Sequence, residues 1–111
     1  MSLDIYLEYE VEPGQWKEVY SCNITHNLNT MAEAAGFYQE LWRGDECGVE
    51  TAGELAPHLN AGINKFKANP DKYRNYDSPN GWGTFDNFLP WLVDLYLACR
   101  EYPSAHVTQC R

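Results

Sequence analysis

From Leu3 to Val11 the chain alternates: Leu3, Ile5, Leu7, Tyr9 and Val11 fall on one face, with Asp4, Glu8 and Glu10 on the other. A repeat of two is that of a strand with one wet side. Pro13-Gly14 is a turn signal. The run from Trp16 to Ile24 then sets Trp16, Tyr20, Cys22 and Ile24 on one face. The two runs predict an antiparallel hairpin.

Past residue 30 the repeat becomes helical. Met31, Ala34, Ala35, Tyr38, Leu41 and Trp42 follow that spacing. Thr30 and Glu33 stand as a capping box at the start. Arg43 suits the negative end, and Gly44 the left-handed closing residue. A second helix is predicted from Thr51, with Glu54 as box partner and a stripe of Leu55, Leu59, Ile63 and Phe66. Pro70 stops it, since the residue before proline avoids helical geometry. Asn69-Pro70-Asp71 can cap a further short turn through Tyr73. Residues 77–83 read as a loop. A third helix carries Phe85, Phe88, Leu89, Leu92, Leu95, Tyr96 and Cys99 on one side, and is predicted to start near Pro90 after an irregular lead-in. His106 to Cys110 is a short strand that returns to the hairpin. The pattern predicts an α+β fold of order ββαααβ: an N-terminal antiparallel hairpin and a short C-terminal strand form a small sheet, covered on one face by about three helices.

Composition fits one domain over 1–111. The chain has 111 residues, 44 % of them apolar and 14 % aromatic, enough for a core. A net charge of -8 opposes binding to nucleic acid or to a phospholipid surface, and the bases are scattered singly. No apolar run reaches the ~20 residues of a membrane span. Met1-Ser2-Leu3-Asp4 lacks the pattern of a signal peptide, so a cytoplasmic protein with reduced thiols is expected, Cys99 being buried on a helix.

Three patches carry candidate chemistry. His26 and Asn27 lie in the polar run Asn23–Thr30, beside the first predicted helix. They read as ligand contacts near free backbone N–H groups that favour an anion, or as local caps and turns. Trp42-Arg43 reads as a ring platform beside a clamp for phosphate or carboxylate, or as a core residue followed by a helix-end cation. Asn80-Gly81-Trp82-Gly83 reads as a functional loop, or as a turn with Trp82 plugging the edge of the core. The spacings of His26, His58, His106, Cys22 and Cys47 do not support a metal site, and no cofactor motif or catalytic signature is present. His26 with Asp45, Glu46 or Cys47 is the one acid/base or nucleophile pairing that suggests itself.

Leu3-Asp4-Ile5-Tyr6-Leu7, Asn23-Ile24-Thr25-His26-Asn27-Leu28, Leu41-Trp42-Arg43, Asn80-Gly81-Trp82-Gly83-Thr84 and Tyr96-Leu97-Ala98-Cys99 together resemble a family of small uncharacterised (hypothetical) proteins of tailed bacteriophages and prophages. The resemblance spans nearly the whole chain. It departs after the Trp-Arg pair, where the family pattern has proline and this chain has Gly44. It implies an accessory protein working in the cytoplasm of a bacterial host and binding something there, a host protein or a signalling small molecule.

The functional expectation is a non-enzymatic binder of a small, nucleotide-like molecule, with His26, Asn27, Trp42, Arg43, Asn80 and Trp82 gathered in one recess. The alternative is an acidic module that binds a basic host protein. An exposed sheet edge would also support a homodimer. An enzyme with His26 as general base ranks behind these.

Overall fold

A computed structural model describes residues 2–111. Strands β1 (Ser2–Glu12) and β2 (Gln15–Thr25) form the hairpin, and Pro13-Gly14 makes the turn with Gly14 at φ 80°. β3 (His106–Cys110) pairs antiparallel with the other side of β1, giving the order β2-β1-β3. Between hairpin and β3 run a 3₁₀ turn (His26–Leu28) and helices α1 (Asn29–Ala34), α2 (Tyr38–Trp42), α3 (Gly44–Cys47), α4 (Ala52–Ala68), α5 (Pro70–Arg74) and α6 (Phe85–Glu101). The fold is α+β, as the hydrophobic pattern predicts.

Leu3, Ile5 and Leu7 are wholly buried and carry the sheet's side of the core. Opposite them stand Leu55, Leu59 and Phe66 of α4 and Phe88, Leu92, Leu95 and Cys99 of α6. Aromatic rings fill the middle: Phe66 lies 5.3 Å from Phe85, 5.7 Å from Phe88 and 4.8 Å from Tyr73, at the tilted and edge-on angles that ring quadrupoles favour. Thr51 caps α4 as expected. Its hydroxyl accepts from the Glu54 N–H at 3.3 Å, and the Glu54 carboxylate accepts from the Thr51 N–H at 2.9 Å.

Several expectations are corrected. Trp16 does not share a face with Tyr20, Cys22 and Ile24. Leu7 pairs with Tyr20 but Glu8 with Glu18, so Val19 is an extra residue that inverts the alternation towards the turn. Trp16, 51 % exposed, therefore sits on the wet face opposite Glu10. A second irregularity falls between Glu10 and Glu12, and Val11 is 58 % exposed instead of core-facing.

The first predicted helix is broken. Gly36 takes φ 83° and separates α1 from α2. Thr30 does not cap it, because the chain has already turned helical at His26, where Thr25 accepts from the Asn27 N–H at 3.4 Å. Gly44 opens α3, and the left-handed closing residue is Gly48. A side chain at residue 44 would meet the Gln109 amide 2.6 Å away. The third helix starts at Phe85, capped by Thr84, whose hydroxyl accepts from the Asn87 N–H at 3.3 Å. It runs on through Pro90. A proline in the second turn forfeits one backbone bond, while an earlier start lets both Phe85 and Phe88 be buried.

Candidate functional site

The 3₁₀ turn after β2, the α2–α3 corner and the loop before α6 meet around a recess of about 550 Å³. His26, Asn27, Trp42, Arg43 and Trp82 line it, so the structure brings together five of the six candidate residues. Thr25, Asn29, Tyr38 and Arg111 complete the lining. The volume lies within the range of about 300–1,000 Å³ usual for small-molecule sites.

Asn80 is the candidate that does not reach the recess. Its side-chain oxygen accepts from the Trp82 N–H at 2.9 Å and from the Ser78 hydroxyl at 2.6 Å, folding the loop on itself. Asn27 ties that loop down: its amide donates to the Trp82 carbonyl at 3.0 Å. Gly83, at φ 101°, packs the loop against the turn. A Cβ there would come within 3.1 Å of both Asn27 and Thr25. The result is a fixed base from which the Trp82 ring, 71 % exposed, stands at the rim.

Trp42 forms the floor. Only 1 % of it is exposed, Tyr38 stacks on it at 5.5 Å, and Phe88 meets it edge-on at 6.4 Å. The core-residue reading of Trp42 thus describes the ring, while its edge faces the recess. Its indole N–H donates to His26 Nδ1 at 3.0 Å. An indole nitrogen is a donor only, so Nδ1 holds a lone pair and the neutral imidazole carries its proton on Nε2. That N–H is the donor His26 can offer a guest.

Two guanidinium groups supply positive charge. Arg43 donates through Nε to the Tyr38 hydroxyl at 3.2 Å and through Nη1 to Glu46 at 2.8 Å, which leaves Nη2 unengaged. Arg111 donates to the Trp42 carbonyl at 2.9 Å and to Asp45 at 3.0 Å. Its hydrogen bond holds the Asp45 carboxyl below the ordinary carboxylate range, with the arginine charge adding to the effect. These bonds fix the cations in place at some cost to the charge they present.

Asp45 and Glu46 face arginines, and the Nδ1 of His26 is taken by an indole. The pairing of His26 with a carboxylate is not what this arrangement makes. The anion argument from the first predicted helix also loses its basis. α1 spans six residues, so the positive pole expected there is small and charge rests on the arginines.

Tyr38 and Arg111 escaped the sequence reading. Tyr38 had a signal, standing four positions before Trp42 on a helix. Arg111 had none, because only the pairing of β3 with β1 carries it to the α2–α3 corner.

The four cysteines are free thiols. Burial pushes Cys22 and Cys99 up to about 12, so both stay protonated and unreactive near neutral pH. No group of three metal-ligating side chains gathers among the described residues, and no helix among them is long and apolar enough to cross a membrane. Compared with protein-family models, with curated proteins and with solved structures, the chain finds no match.

Proposed function

We propose that the chain is a non-enzymatic binding protein for a small planar anion of nucleotide-like kind, held in the recess beside Trp82. One observation carries this reading. An exposed indole, an imidazole N–H donor and two fixed guanidinium groups converge on a single volume of about 550 Å³. A flat ring would stack on Trp82, its polar edge would accept from His26 Nε2–H, and a phosphate or carboxylate would meet Arg43 Nη2. Binding is favoured over catalysis by the His26 tautomer: with Nε2 protonated and Nδ1 occupied, the imidazole has no free lone pair with which to act as a base. From the sequence resemblance alone, we also propose that it acts in the cytoplasm of a bacterial host as a phage or prophage accessory factor.

Isothermal titration calorimetry with a panel of nucleoside mono- and diphosphates tests this. At least one should bind, and Trp82→Ala should weaken it by roughly tenfold, the loss expected for one stacked base. Arg43→Gln should weaken phosphate-bearing members more than the parent nucleosides. No heat from any member, or an unaltered affinity in Trp82→Ala, would overturn the proposal.

A further inference from the structure

β3 pairs with Asp4–Glu8 only, so the hairpin from Tyr9 onward overhangs it. A second recess, of about 340 Å³, occupies the notch. Glu8, Tyr9, Glu10, Trp16, Glu50 and His106 are the side chains that give it its character. The Val19 bulge is what makes it. By reversing the strand's phase it lifts Trp16 onto the wet face, where the ring reaches across β1 to His106 at 5.6 Å and a tilt of 55°.

The two aromatic rings thus pack on each other beside a space edged by carboxylates. Among the described residues, no lysine or arginine lies within ion-pair distance of Glu8, Glu10 or Glu50. The polar contacts of the first two are to neutral groups: Glu8 accepts from the Thr108 hydroxyl at 3.3 Å and Glu10 from the Gly14 N–H at 3.2 Å. With a net charge of -8 on the chain, this notch offers uncompensated negative potential beside an exposed indole face.

We propose that the notch seats an arginine side chain of a basic partner protein, its guanidinium stacked on Trp16 and paired with Glu8 and Glu10. A planar cation satisfies both features at once. It stacks on an indole by cation–π attraction and donates through a fixed fork to carboxylates. A lysine ammonium, compact and strongly hydrated, can sit over a ring but cannot lie flat on it while donating through a fixed fork to carboxylates. The notch and the first recess lie at opposite ends of β2. Trp16 and Thr25 are nine residues apart, or about 30 Å at the rise of an extended strand. The partner site therefore stands or falls independently of the small-molecule reading.

The test follows the indole N–H signals of the ¹⁵N-labelled protein as an end-blocked Gly-Arg-Arg-Gly-Arg peptide is added. The Trp16 signal, identified by its loss in Trp16→Phe, should shift saturably while that of Trp82 stays in place. The matched citrulline peptide, equal in shape but neutral, should bind at least roughly tenfold more weakly, as should the arginine peptide to a Glu8→Gln/Glu10→Gln variant. Since Trp16 is half exposed, Trp16→Ala should fold and lose binding. An unmoved Trp16 signal at millimolar peptide, equal binding of the citrulline or lysine peptide, equal shifts at Trp16 and Trp82, or undiminished binding by Trp16→Ala would each overturn the proposal.

Discussion

His26 has one nitrogen bonded within the fold and, in the proposed site, the other turned to a guest, and only the second role is readable from the sequence. A histidine in a polar run next to a turn marks a candidate donor or acceptor. Nothing in the residue order says that its Nδ1 will accept a hydrogen bond from an indole sixteen positions on. That bond makes His26 structural, and the tautomer it selects leaves Nε2–H as the donor that the proposed binding reading uses. A buried N–H left without an acceptor is costly, which gives a graded prediction. His26→Phe fills the space yet offers no lone pair and keeps water out, so it should lose about 1–3 kcal/mol. His26→Ala should lose less, about 1 kcal/mol, because water from the recess can reach the indole. Urea denaturation measures both, and a Phe variant as stable as the Ala variant would remove the structural role. Trp42 shows the complementary case. Its two sequence readings, core ring and site residue, were not true alternatives, since a face can be packed while an edge lines a cavity. Asn80 stands in a glycine-flanked loop that reads as functional, but Asn in such places bonds local backbone first, and here it does.

Elements were legible where period and punctuation agree. β1 from Leu3 to Leu7 and α4 each carry a clear repeat, and α4 has the Thr51–Glu54 box at its start. Errors arose where one residue changes the phase or the direction of the chain. Val19 enters the hairpin as a single extra residue, invisible in a run rich in β-branched and aromatic types, and it moved Trp16 from core to surface. Gly36 splits a run whose apolar spacing continues through it. The loop before α6 was recognised as a loop, but not as one pinned by Gly83. This pinning can be tested by comparing two glycines. Gly81 and Gly83 both have positive φ, at 77° and 101°, yet a side chain at 81 meets nothing within 4 Å while one at 83 meets the Thr25–Leu28 turn. Gly81→Ala should therefore cost only the backbone strain, about 1–2 kcal/mol. Gly83→Ala should cost more and also displace Trp82, seen as a shift of its indole N–H signal that Gly81→Ala lacks. Equal costs with an unmoved signal would mean that the loop is not held by this contact.

For the molecule as a whole, the recess depends on a closure between distant parts of the chain. β3 completes the sheet, and beyond its end Arg111 reaches Trp42, Asp45 and Glu46, at least 65 positions away in sequence. Such a contact is set by topology alone, which is why the pattern of residues could outline the sheet yet miss a residue that walls the site. The clamp has a consequence with pH. Asp45 has a folded-state pKa depressed first by the hydrogen bond from Arg111. A depressed carboxyl stabilises the fold above its unfolded pKa of about 3.9, and that contribution is lost as pH falls through the lower, folded value. Arg111→Gln should therefore lower the urea midpoint at pH 7, and the gap between the two proteins should narrow as pH falls below the unfolded value and through the lower folded one, where the wild-type carboxyl becomes protonated. Raising salt at pH 7 should narrow the gap as well, because Asp45 and Arg111 are both reached by solvent. A gap constant from pH 7 to the acid limit would assign the clamp to the bond with the Trp42 carbonyl instead. In that case Arg111 would still brace the floor of the recess, but the ion pair with Asp45 would contribute nothing to holding β3 against the α2–α3 corner.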